Sequence, residues 1–205
     1  MKIIIGACIA FISLLNARRY FVILKKDSRK EKKADPSLAM WFLFAFATTL
    51  STVSLLFNSS WNWEAAAYGV ADMIMCYSVS IGIVRSNGNR IVLDAFEKWY
   101  IVAIFGALLF WVFSGSSFNT NIVAQLLLVA AYYPTVRKMV KEKRNTEPFS
   151  IWVCSFAGSA LSLYLSIESG KWLAIAYSIR SIVLTAGLLS LMYFFERRNL
   201  IMPTH

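Results

Sequence analysis

The sequence predicts an all-α membrane protein of seven transmembrane helices, built as two parallel three-helix repeats joined by a linker helix. Three observations predict it: the length of the apolar runs, the sorting of cations into alternate loops, and a match between the two ends of the chain.

The first observation is compositional. Of 205 residues, 58% are hydrophobic, and the mean hydropathy is +0.58. A water-soluble domain of this size cannot hide that much apolar surface. A bilayer removes the difficulty, because the lipid-facing side of each helix is free to be apolar. A helical span needs about 20 apolar residues to cross a hydrocarbon core of about 30 Å. Backbone groups within lipid must be satisfied internally, so runs of this length are helices. The runs place a first unit at 1–84 with spans at 3–24, 37–57 and 62–84. A linker follows at 85–118 with a span at 99–115. The second unit, 119–195, has spans at 119–138, 149–168 and 171–195, and 196–205 forms a tail. Asp35-Pro36-Ser37 and Glu147-Pro148-Phe149 mark two helix starts, with Pro in the first turn and an acid at the positive end of the helix dipole. The charged start and apolar core at Met1–Leu15 have the outline of a signal peptide. Asn16-Ala17-Arg18-Arg19 offers no cleavage site, and apolar character resumes at Tyr20-Phe21-Val22. A retained first helix is therefore expected.

The second observation is where the charge of +10 sits. Eighteen of the 21 Lys and Arg fall at the ends of spans 1 and 5, in the connections after spans 1, 3 and 5, and in the tail. The other face has only Lys2 and Lys171, and Arg180 lies within a span. Cation-rich loops stay on the cytoplasmic side. The N-terminus is expected outside and the C-terminus inside, which requires an odd number of spans. The same sorting accounts for the basic charge without nucleic acid. The partners expected are the lipid bilayer and a small-molecule solute, and the sequence is compatible with a homo-oligomer. Its brevity suits a prokaryotic inner (cell) membrane.

Little in the chain points to catalysis. Cys8, Cys76 and Cys154 are widely spaced within spans, and the sole His is His205. There is no Ser-His-Asp set, HExxH, glycine-rich phosphate loop or CxxC, so no catalytic residue, metal or cofactor is expected. Asp94 and Glu97 read as a solvated pair or a helix cap.

The third observation is internal. A shift of 112 lays Tyr20 on Tyr132, Lys25-Lys26 on Arg137-Lys138, Asp35-Pro36 on Glu147-Pro148 and Phe44-Ala45 on Phe156-Ala157. A shift of 109 lays Trp63 on Trp172, Ala65 on Ala174 and Ala67-Tyr68 on Ala176-Tyr177. A basic loop, an acid-Pro start and a Trp-x-Ala-x-Ala-Tyr series thus recur in one order, as a duplication would leave them. Two three-helix units need one linker helix to enter the membrane in the same direction.

This 3+1+3 plan resembles the PQ-loop superfamily, which includes the SWEET sugar transporters, lysosomal cystine and amino-acid exporters and the KDEL receptor. The local match is Tyr133-Pro134-Thr135-Val136-Arg137-Lys138 followed by Asn145-Thr146-Glu147-Pro148-Phe149-Ser150. Thr135 stands where that family usually has Gln, and Pro148 where Gly is common. The resemblance in plan covers nearly the whole chain and the motif about 30 residues. It implies a fold of two bundles around a central cavity and, in the SWEET branch, that the middle of spans 3 and 7 lines it.

Ionisable groups inside a bilayer are costly and rarely idle. Asp72 and Arg180 each lie about nine residues into an inward-running span, so both sit roughly 13 Å down, near the midplane. They are expected either to lock the bundle as an ion pair or to bind substrate. Guanidinium meets carboxylate or phosphate with two hydrogen bonds, so a zwitterion or anion fits the pair. Tyr68 and Tyr177, one turn outward, are either interface or packing aromatics or ligand contacts. Gln125 and Tyr132 are candidates for the cavity lining. Trp41 and Trp152 read as interfacial belt anchors or as gates, and Pro134 as a kink in a moving segment. The function expected is a secondary transporter of a small polar solute working by alternating access. The alternative is a membrane receptor or sensor that uses the same cavity without transport.

Overall fold

The computed structural model describes residues 2–27, 36–58, 63–88, 90–91, 93–113 and 117–201. The cation run at 28–35 and the sole histidine lie outside them. Within the described residues all regular structure is helical: α1 (Lys2–Asp27), α2 (Leu38–Asn58), α3 (Trp63–Ser86), α4 (Ala95–Val112), α5 (Ser117–Ala131), α6 (Tyr133–Glu142), α7 (Phe149–Ser169) and α8 (Trp172–Ile201). Five of these, α1, α2, α3, α7 and α8, are long and apolar enough to cross a bilayer.

The surface of the bundle is that of an integral membrane protein. Phe11 and Leu126 are 62% exposed and Val183 is 60% exposed, an arrangement that water would penalise and hydrocarbon does not. Inside, the helices meet through small and hydroxyl-bearing residues. Lipid tails are as apolar as leucine, so packing and interhelical hydrogen bonds hold such helices together. Ser178 of α8 bonds Ser162 (2.9 Å) and Ser166 (3.3 Å) of α7. Gly69 of α3 lies so close to α2 that a Cβ there would strike the Thr52 hydroxyl.

α3 packs against both α1 and α2, and α8 packs against both α7 and α5. Across the bundle, α2 meets α5 and α1 meets α7. The ends of α3, α6 and α8 carrying Arg85, Lys141 and Arg198 form what is called here the basic end.

Some boundaries differ from those expected. The helix expected at 119–138 is two helices with a break at Tyr132, and the last helix runs on through 196–201 of the expected tail. The break has a covalent cause. Pro134 has no N–H to give the carbonyl four residues back, which is that of Ala130. The Tyr100 hydroxyl of α4 takes that carbonyl instead. The helix is therefore interrupted next to Pro134, where a kink was expected, and the freed carbonyl is held from outside. Asp94 and Glu97 form the expected cap: Asp94 Oδ1 accepts from the Glu97 N–H (2.6 Å) and Glu97 Oε2 from the Asp94 N–H (3.1 Å). Ser37 caps α2 through the Met40 N–H (3.3 Å) and donates to Glu97 Oε1 (2.7 Å).

Candidate functional site

Near the middle of the bundle, side chains of α2, α3, α5, α7 and α8 and the Tyr132 break enclose a cavity of about 30 Å³. That is room for a water molecule or two. Among the residues lining it are Asp72, Tyr68 and Cys76 from α3, Arg180 and Ser181 from α8, and Trp41, Tyr132 and Trp152. Of the nine expected site residues, six therefore meet at one cavity, and Tyr177 stands directly behind its charged wall.

Asp72 and Arg180 share the cavity without forming an ion pair; Tyr177 stands between them. Its hydroxyl donates to Asp72 Oδ2 at 2.7 Å, while the Arg180 guanidinium lies over its ring, 4.6 Å from the centroid. Cys76 adds a weak contact to Asp72 Oδ1 at 3.9 Å. The buried Arg180 Nε has no hydrogen-bond partner. An acid and a guanidinium in a low-dielectric interior attract strongly at contact, so separating them with a tyrosine leaves each able to take a complementary group.

Tyr68 is buried, and its hydroxyl meets Ser159 Oγ at 2.6 Å and Ser181 Oγ at 3.1 Å. Its ring packs edge-on to Tyr177 with centroids 5.6 Å apart. Gly158 lies alongside that ring, where a Cβ would stand in ordinary contact, 3.7 Å from Tyr68 Cε2. Neither tyrosine is an interfacial residue.

Two expectations need correction. Trp41 and Trp152 are 2% and 3% exposed, too enclosed for belt anchors. Their rings pack 5.5 Å apart, and the cluster extends to Tyr20 (5.3 Å from Trp41), Phe44 (6.0 Å from Trp41) and Tyr132 (5.8 Å from Trp152). Trp41, Phe44, Tyr132 and Trp152 form the wall of the cavity on the side of the basic end, with Tyr20 packed behind Trp41. Gln125 is outside the cavity. It lies on the same stripe as Leu128 and Tyr132, but about one turn farther from the basic end than Leu128 and about two turns farther than Tyr132. There it donates to Ser51 Oγ of α2 (2.8 Å) and to Asn121 Oδ1 (3.2 Å). Asn121 in turn donates to Ser54 Oγ (3.1 Å), so this network joins α2 to α5.

One residue that sequence reasoning read differently stands behind the ring wall. Glu147 was expected at the N-terminus of α7 as a dipole-matching acid. Pro148 occupies the cap position with no side-chain cap, and the Glu147 side chain turns inward, 3% exposed. It accepts from the Tyr20 hydroxyl of α1 (3.0 Å) and from Trp152 Nε1 of α7 (3.4 Å). Burial pushes its pKa up to about 8, against the opposing help of these two donors and of Lys138. An acid-Pro helix start looks the same in sequence whether the acid caps or points inward.

A larger groove of about 690 Å³ lies between α1 and α7, lined by Leu15, Asn16, Arg18, Arg19, Ser150 and Cys154 among others. It is open and faces outward. Among the described residues no group of three metal-ligating side chains comes together.

Fold and site together define an integral membrane protein of helices with a small internal cavity walled by an acid, a guanidinium and aromatic rings. Comparison with protein-family models, curated proteins and solved structures finds no match to this chain.

Proposed function

We propose that the chain is a secondary transporter of a small zwitterionic or anionic solute, with Asp72 and Arg180 as the central site. The observation that carries this reading is that the two charges line one cavity while Tyr177 holds them apart. A pair serving only to lock the bundle would gain most from direct contact. A cavity of about 30 Å³ admits no such solute, so this conformation is the closed one, and binding requires the ring wall or the opposite side to open.

The packing of the helices supports a reading of seven spans in two repeats. Under the duplication, α1, α2 and α3 correspond to α5 with α6, α7 and α8. The third helix of each unit then packs on the other two, and the first helix of each unit meets the second of the other. A two-fold axis along the membrane normal relates such an arrangement to itself. The cations gathered at the basic end support a cytoplasmic position for that end, and the reading takes the N-terminus as outside and a prokaryotic cell membrane as the setting.

The test is uptake into proteoliposomes, guided by a thermal-shift screen of amino acids and small carboxylates, since a ligand preferring the folded state raises its melting point. Asp72→Asn and Arg180→Gln should each lower uptake by at least about tenfold, a loss of ~1.4 kcal/mol, with helical content unchanged. If both variants unfold and exchange of the two charges restores folding, the pair is structural and the reading fails. Ligand binding without flux identifies a receptor or sensor instead.

A further inference from the structure

The carboxyl of Glu147 is buried in a place where the proposed transport cycle has not used it. Its two oxygens are unequal. Oε2 accepts two hydrogen bonds, from Tyr20 and Trp152, and Oε1 accepts none. The groups facing it are Tyr20 from α1, Trp41 from α2, Trp152 from α7 and, at longer range, Lys138 from α6. Three of these four are neutral rings. A carboxylate with one bare oxygen in such a shell is costly, whereas the acid form puts its proton on the bare oxygen and keeps both acceptor bonds on the other.

Two of these rings, Trp41 and Trp152, line the central cavity, and Tyr20 packs against Trp41 behind them. Tyr20, Trp41 and Trp152 pack in sequence, the first pair edge-on and the second tilted, at 5.3 and 5.5 Å and come from α1, α2 and α7. Opening the cavity toward the basic end must part Trp41 from Trp152, and this exposes Glu147 to water.

We propose that Glu147 is the proton-carrying residue of this gate, holding a proton while Tyr20, Trp41 and Trp152 are closed around it and releasing it to water when they part. This rests on the transport reading above. The step is a proton transfer from the Glu147 carboxyl to cytoplasmic water, leaving the carboxylate hydrated. Its consequence is pH-dependent gating, because each opening toward the cytoplasm releases one proton to that water and each closure takes one back up.

The sign follows from linkage. The closed gate binds the proton with a pKa of about 8, against the ordinary 4.5 of a hydrated Glu. The closed state is therefore the better proton binder. Low pH favours closure, and between those two values each unit of rising pH favours opening by up to about tenfold.

The experiment uses the full chain in inside-out vesicles with Cys8→Ser, Cys76→Ser, Cys154→Ser and Ser155→Cys, the last in the cavity wall. A membrane-impermeant maleimide is added between about pH 5 and pH 8, the window set by linkage. Dividing each rate by that of the same protein with Glu147→Gln cancels the ionisation of the thiol itself. A ratio that climbs at least about tenfold across the window supports the proposal, and a flat ratio overturns it. Infrared titration of the unmutated chain gives a reading that needs no variant to fold. A protonated carboxyl band vanishing near pH 8 supports the proposal, and the absence of any band titrating there overturns it. Tyr20→Phe removes one donor to the carboxylate and should move the midpoint to higher pH. The labelling needs no solute. A flat ratio in a protein that shows solute flux removes the proton and leaves transport, whereas a rising ratio in a protein without flux removes transport and leaves the gate.

Discussion

Tyr100→Phe tests how the broken helix between α5 and α6 is held. The hydroxyl of Tyr100 is the donor to the Ala130 carbonyl, and Pro134, four residues on, has no N–H to give it. Removing the hydroxyl leaves that carbonyl without a partner in a half-buried setting. Interhelical hydrogen bonds in membranes average ~0.6 kcal/mol, and a buried polar group left unpaired costs ~1–3 kcal/mol. A loss of about 1 kcal/mol is expected, read as a shift of the unfolding midpoint in a detergent titration. The informative arm is the double-mutant cycle with Pro134→Ala. Alanine restores an N–H to position 134 and closes the helix on Ala130, so losing the Tyr100 hydroxyl should then cost close to nothing. A coupling of about 1 kcal/mol between the two positions is the expected outcome. If Tyr100→Phe costs the same in both backgrounds, the tyrosine is not replacing the proline's missing donor, and the account of the break is wrong.

Other consequences are simpler to check. Gly69→Ala places a methyl against the Thr52 hydroxyl and should lower stability by about 1–3 kcal/mol in the same titration; adding Thr52→Ala should recover part of the loss, and no recovery would refute the contact. Asp94 accepts from the Glu97 N–H and from Arg137 (3.1 Å), and these hold its carboxyl below the usual range, the backbone bond most. Its contribution to stability is therefore present above the ordinary carboxylate pKa of about 3.9 and lost as pH falls through the lower, folded value. Asp94→Asn keeps the cap but should flatten this acid limb of the stability profile, and an unchanged limb would refute the assignment.

What the sequence by itself determined are the properties that depend on solvent. The length of the apolar runs and the placement of cations follow from lipid and water acting on each segment separately, so both are readable without knowing any neighbour. The meeting of Asp72, Arg180, Tyr68 and Tyr177 was also within reach, because α3 and α8 are matched by their Trp-x-Ala-x-Ala-Tyr series and equal counts along two helices mean equal depth. Only the tertiary structure decided which neighbour each helix face meets. Gln125 shares a stripe with Tyr132, yet about two turns of rise put it against Ser51 and outside the cavity. Trp41 and Trp152 sit where belt residues sit, and only the approach of α2 to α7 buries them. Glu147 has the local signature of a helix-start acid, and its inward turn depends on Tyr20, 127 positions away. Direction around a helix axis is set by the partner that fills it, and one chain's spacing carries no record of that partner.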